Sequence, residues 1–158
     1  MNHVLDACAM IAFLRGENGS EIVRQILHEP ADQCYAHVIN LCEVYYDFAR
    51  SVDARTGRAA LHDLRLAGVR ARRDISTSFW LKVGDLKSAH KVSLADCFAI
   101  QLSKKLRGDV VTSDHHEFDV LEAGGYVMSN SSVRLSPTAF SQPFRGEYLF
   151  RPNFVPPA

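Results

Sequence analysis

No apolar run in this chain approaches the roughly 20 residues that span a bilayer, and the N-terminal stretch lacks the charged-then-apolar pattern of a secretory signal. There is no excess of one charge, since Lys plus Arg and Asp plus Glu both total 18. That balance excludes a sequence-blind polycation but leaves room for a local basic face. The four cysteines, Cys8, Cys34, Cys42 and Cys97, form no C-x-x-C pair and no Cys/His spacing of a zinc module. They are expected as small buried residues in a reducing, cytoplasmic compartment. Also missing are a G-x-x-x-x-G-K-[ST] phosphate loop, a Ser-His-Asp or Cys-His constellation, and any internal repeat. What is present is 158 residues, 47% apolar and 23% charged, the composition of one ordered soluble domain.

Short apolar runs alternate with helical stretches, which predicts an α/β domain with a mostly parallel sheet. His3-Val4-Leu5 reads as a strand ending at Asp6, with a helix over Ala7 to Leu14 directly behind it. Asn18-Gly19-Ser20 is a turn, after which Ile22, Val23, Ile26 and Leu27 recur at helical spacing. Cys34 to Val38 suits a second strand, and Leu41, Val44, Tyr45 and Phe48 form one face of the next helix. Helices are expected over 54–68, 76–90 and 93–106, with Gly68 and Gly108 as their stops, and strands over 69–74, 109–113 and 124–128. From Ser129 onward the pattern weakens and five of the six prolines appear, so 129–158 is expected to be an irregular extension.

The acids carry the chemistry. Ligands of an open parallel sheet bind beyond the carboxyl ends of its strands. Asp6 follows the first strand and Asp114 follows the strand at 109–113, while Glu43 and Asp96 lie in the first turns of helices on the same expected edge. Taken singly, each acid suits a helix start through the macrodipole, and Ser93-x-x-Asp96 has the spacing of a capping box. Taken together, unit charges about 5 Å apart repel by roughly 3 kcal/mol at an effective dielectric near 20. Four of them in one cleft call for protons or a cation. Oxygen donors without Cys or His select a hard ion, Mg²⁺ or Mn²⁺, over zinc, and such an ion supports in-line displacement at phosphorus. Two other readings stand beside this one. Asp6 is a candidate nucleophile of an Asp-type phosphatase, although the second Asp those enzymes carry two residues on is Cys8 here. Alternatively, the acids only cap helices in a non-catalytic α/β interaction module.

Val4-Leu5-Asp6-Ala7, Asn40-Leu41-Cys42-Glu43-Val44, Ser93-Leu94-Ala95-Asp96-Cys97-Phe98-Ala99 and Val111-Thr112-Ser113-Asp114 occur in that order. With these four motifs the chain resembles PIN-domain ribonucleases, especially the VapC-like toxins of bacterial toxin–antitoxin pairs, over residues 1 to about 128. The resemblance implies a PIN-like three-layer sandwich with a nuclease domain at 1–128, and the extension at 129–158 is outside it. It implies Asp6 and Asp96 as metal ligands, Asp114 completing the site directly or through water, and Glu43 behind them or orienting and deprotonating the attacking water. It further implies Mg²⁺ or Mn²⁺ as cofactor, RNA as substrate, a small antitoxin protein as partner, and a homodimer. Asp119 matches the motif less well. The family often has a hydroxyl where this chain has Cys8; Thr112 is a candidate replacement, or simply a β-branched strand residue.

The neutral total hides a basic stretch. Between Arg50 and Asp74 there are seven arginines against three aspartates, a net +4, which suits either a solvated face or RNA phosphates. His115 and His116 read as exposed loop residues, with contact to substrate or metal as the alternative. Tyr45, Tyr46, Phe48, Phe79 and Trp80 fall at helical spacings, which suits core or dimer surface better than base stacking.

Overall fold

The structure, a computed structural model, describes residues 1–113 and the backbone of Val133–Arg134. The elements run β1 (Asn2–Leu5), α1 (Ala7–Arg15), α2 (Ser20–His28), β2 (Gln33–His37), α3 (Val38–Ser51), α4 (Ala54–Leu66), β3 (Arg70–Arg72), α5 (Thr77–Ala89), α6 (Leu94–Leu106), β4 (Asp109–Thr112) and β5 (Val133–Arg134). The expected strand at 124–128 lies outside the described residues. Val133–Arg134 sits in the stretch expected to be irregular and pairs in parallel with β4.

Every strand pairing is parallel, in the order β3-β2-β1-β4-β5. Alternation along the strands builds the layers, because successive side chains point to opposite faces. Leu5 and Val111, register partners, enter one core with Cys34 and Ala36; Met10, Val23, Val44 and Leu64 cover it from α1–α4. Val4 and Val110, the neighbouring pair, enter a second core with Phe79, Val83, Ile100 and Leu102 of α5 and α6. The result is the expected three-layer α/β/α sandwich. No helix among the described residues is long and apolar enough to cross a membrane.

The chain leaves β1 toward β2 and β3 and returns to place β4 on the other side of β1. This reversal opens a crevice at the carboxyl ends of β1 and β4, where parallel sheets take their ligands. Two close approaches hold the helices in place. A Cβ on Gly57 of α4 would lie 2.7 Å from the Tyr45 carbonyl oxygen of α3, and one on Gly108 would lie 2.3 Å from that of Asn2. Gly108 is therefore required by the crossing with β1. The left-handed residue ending α6 is Arg107, with φ of 50°.

One expectation about burial needs correction. Cys34 and Cys97 are buried, but Cys8 and Cys42 are exposed. Each exposed cysteine points away from its helix's packed stripe, Ala9, Met10 and Ala12 on α1, and Asn40, Val44 and Phe48 on α3. Among the aromatics, Phe48 and Phe79 are core, whereas Tyr46 and Trp80 remain about half exposed.

Candidate active site

Asp6 is the residue between β1 and α1, extended at φ −78°, ψ 178°. Its backbone N–H donates to the Val111 carbonyl at 3.1 Å, which extends the β1–β4 ladder by one bond. Its side chain turns into the helix start, where Oδ1 accepts the Ala9 N–H at 2.7 Å. Asp6 has no exposed surface. The first strand thus delivers a carboxylate to the sheet's switch point and the first helix fixes its orientation.

Asp96 stands in the first turn of α6 and is half-buried. Ser93 caps this helix: its Oγ accepts the Asp96 N–H at 3.1 Å and donates to Asp96 Oδ2 at 2.5 Å. The capping spacing seen in the sequence is therefore a real cap, and it also orients the carboxylate. Glu43, half-buried in the second turn of α3, accepts the Tyr46 hydroxyl on Oε1 at 3.2 Å. The Glu43 charge pushes the Tyr46 phenol above its ordinary range.

Two residues without an assigned role in the sequence build this edge. His37, wholly buried, ends β2 and caps α3, with Nδ1 accepting the Ile39 N–H at 3.3 Å. Its Nε2 therefore carries the proton and donates to the Asp74 carbonyl at 3.2 Å. The ring stacks on Phe98 at 4.6 Å and on Phe79 at 5.8 Å between centroids, and burial pushes the imidazole below its ordinary value. Asn40 is also wholly buried, and its Nδ2 donates to the Ala95 carbonyl at 3.1 Å. That bond joins the first turns of α3 and α6, the helices that carry Glu43 and Asp96. Asn40 Oδ1 is buried with no hydrogen-bond partner among the described residues. The only sequence signal for either residue was a polar side chain at a helix start.

Thr112, wholly buried, ends β4 at this edge. Asp114, His115, His116 and Asp119 follow it in sequence and lie outside the described residues. Among the described residues, no three His, Cys, Asp or Glu side chains are grouped closely enough to hold a metal ion. The donor chemistry present nonetheless suits a hard ion: carboxylates from two elements and a buried amide oxygen, where Mg²⁺ needs one or two carboxylates and keeps several waters.

The basic stretch divides by role. Arg72 donates to Asp74 through Nε at 2.9 Å and Nη2 at 3.1 Å, and Lys105 binds the same carboxylate. Those bonds, Arg72's first, hold the Asp74 carboxyl below its ordinary range. Arg55, Arg58, Arg65, Arg70 and Arg73 are exposed on α4 and around β3.

Comparison with known proteins agrees with this architecture. Solved structures share the fold at low identity. VapBC-1 from nontypeable Haemophilus influenzae is 18% identical with a TM-score of 0.57, covering 78% of this chain and 94% of its own. VapBC2 from Rickettsia felis, bound to a DNA fragment from its promoter, is 13% identical with a TM-score of 0.63, covering 85% and 98%. VapC20 from Mycobacterium tuberculosis, a Sarcin-Ricin loop cleaving toxin, is 15% identical with a TM-score of 0.60, covering 79% and 96%. No curated protein matches significantly. The sequence itself matches the PIN domain family over residues 3–123, and with the sheet order and the acid-bearing edge this establishes that the chain belongs to that family.

Proposed function

We propose that the protein is an endoribonuclease that hydrolyses RNA phosphodiester bonds with Mg²⁺ or Mn²⁺, acting in the cytoplasm as the toxin of a toxin–antitoxin pair. The observation that carries this reading is Asp6, a carboxylate with no exposed surface at the switch point of a parallel sheet. Taking a carboxylate fully out of water is costly unless it is paired or binds a cation, and a cation at this edge meets that need.

In this reading Asp6, Asp96 and Asp114 hold the ion. When bound, the ion neutralises phosphate oxygens and acidifies water beside it. Asp6, fixed by the Ala9 N–H, and Asp96, fixed by Ser93, need little reorganisation to do so. Glu43 takes the proton of the attacking water, and the Tyr46 hydroxyl holds its rotamer. The exposed arginines of α4 and β3 bind strand phosphates. The relatives named VapBC support an antitoxin protein as partner, and Ile39, Tyr46 and Val52, exposed on or just after α3, supply apolar surface for a homodimer.

The test is incubation of purified chain with structured RNA and Mg²⁺, beside EDTA and Asp96→Asn controls. Cleavage in the parent alone is expected. Cleavage that persists equally in both controls overturns the proposal, and absence of both cleavage and Mn²⁺ binding favours a metal-free interaction module.

A further inference from the structure

On the face of the sheet away from α1–α4, α5 and α6 are joined by a four-residue connection and enclose a cleft of about 630 Å³. Clefts of roughly 300–1,000 Å³ are the size that takes small ligands. None of Asp6, Glu43 or Asp96 lines it.

Gln101 faces this cleft from α6. It is only 8% exposed, and its amide makes no hydrogen bond among the described residues. Its neighbours Ile100 and Leu102 are core, so a glutamine here leaves a donor and an acceptor side by side against the cleft. Lys82, Lys104 and Lys105 also line it; Lys105 binds Asp74, and Lys104 is likewise engaged elsewhere. One acid, Asp85, shares the space, so the lysines outnumber it. The N-terminus of α5 also lines the cleft. Ser76 stands at the cap position without a side-chain cap bond, and its Oγ meets Ser78 Oγ at 3.3 Å instead. The Ser76 carbonyl takes the Phe79 and Trp80 N–H groups at 2.9 and 3.1 Å, so only the N–H groups of Thr77 and Ser78, at the very start of this 13-residue helix, face an outside acceptor.

We infer that the α5–α6 cleft binds a nucleotide, with its phosphate at Lys82, Lys104 and the N-terminus of α5 and its base edge at the Gln101 amide. Inorganic phosphate alone would leave Gln101 unused, while a base edge presents the paired donor and acceptor that a carboxamide matches. The ligand is a free nucleotide or one unit of an RNA strand. The inference does not depend on the nuclease reading, because the cleft shares no residue with the acid-bearing edge.

The test is calorimetric titration of the full chain in EDTA with inorganic phosphate, a nucleoside, nucleoside 5′-monophosphates and a short single-stranded RNA. A monophosphate or the RNA is expected to bind at least about tenfold more tightly than phosphate or the nucleoside. Binding by a monophosphate assigns a free nucleotide; binding by the RNA alone assigns a strand. Lys82→Glu with Lys104→Glu, both at exposed positions, is expected to weaken either by about tenfold or more. Gln101→Leu is expected to weaken the nucleotide while leaving the melting temperature close to the parent's. The inference is overturned if nothing binds at millimolar concentration, if phosphate binds as tightly as the nucleotide, or if the lysine and glutamine variants bind like the parent.

Discussion

Asn40 and Ala95 are 55 residues apart in sequence and joined by a 3.1 Å hydrogen bond from the buried amide of one to the carbonyl of the other. Glu43 lies one turn beyond Asn40, and Asp96 is the residue after Ala95. This single bond therefore sets the spacing between two acid-bearing helix starts. Asn40→Leu, which keeps the volume and removes the donor, is expected to cost about 1–3 kcal/mol in denaturant unfolding. It is also expected to raise the Mn²⁺ concentration needed for half-maximal RNA cleavage more than it lowers kcat at saturating Mn²⁺. A purely structural role would leave that Mn²⁺ requirement unchanged.

Asp6 both caps α1 and supplies charge, and substitution separates the two roles. Asparagine caps a helix about as well as aspartate, so Asp6→Asn is expected to melt close to the parent without added metal. The parent melting temperature is expected to rise with millimolar Mn²⁺, because a ligand that binds only the folded state stabilises it. Asp6→Asn and Asp96→Asn are expected to lose that rise. Thermal melts with and without Mn²⁺ check it.

His37 makes stability depend on pH. Its folded pKa lies below the ordinary 6.5 because burial disfavours the imidazolium, with Asp74 opposing in part. Below about 6.5 the unfolded chain takes up a proton that the folded chain refuses, so stability is full above that pH and declines as pH falls toward the folded value. Replacing the ring by His37→Asn, which retains a capping side chain, is expected to flatten the decline between pH 7 and 5. Urea unfolding across that range is the measurement.

Gly57 is expected to tolerate no side chain. Gly57→Ala sets a methyl 2.7 Å from the Tyr45 carbonyl oxygen, and two packed helix backbones cannot yield locally, so α3 and α4 separate. Overpacking of this kind costs about 1–3 kcal/mol. A midpoint shift in denaturant tests it.

The parts of the fold legible in the sequence were those set by local pattern. Apolar runs ending at Asp6 and at Ser113 marked two strand ends, the second within one residue of the observed end at Thr112, and Ser93 with Asp96 marked a helix start. Sequence could not reveal pairings made across the fold. Val38 is β-branched and suited the end of a strand, yet α3 begins at Val38 because buried His37 takes the capping role usually given to Ser or Asp. Edge strand β3 kept only Arg70–Arg72 of the six residues expected, having a single neighbour to hold it. Only the packing of α5 on α6 shows that Gln101 faces a cleft. Asp114 falls outside the described residues, so its place in the site remains a proposal drawn from its motif.

The measurement that bears most directly on the account is the anomalous scattering of a crystal soaked in Mn²⁺. The account predicts a peak at the carboxyl ends of β1 and β4, within bonding distance of Asp6 and Asp96 carboxylate oxygens and lost in Asp96→Asn. An empty edge at saturating Mn²⁺, or a peak away from both aspartates, contradicts it.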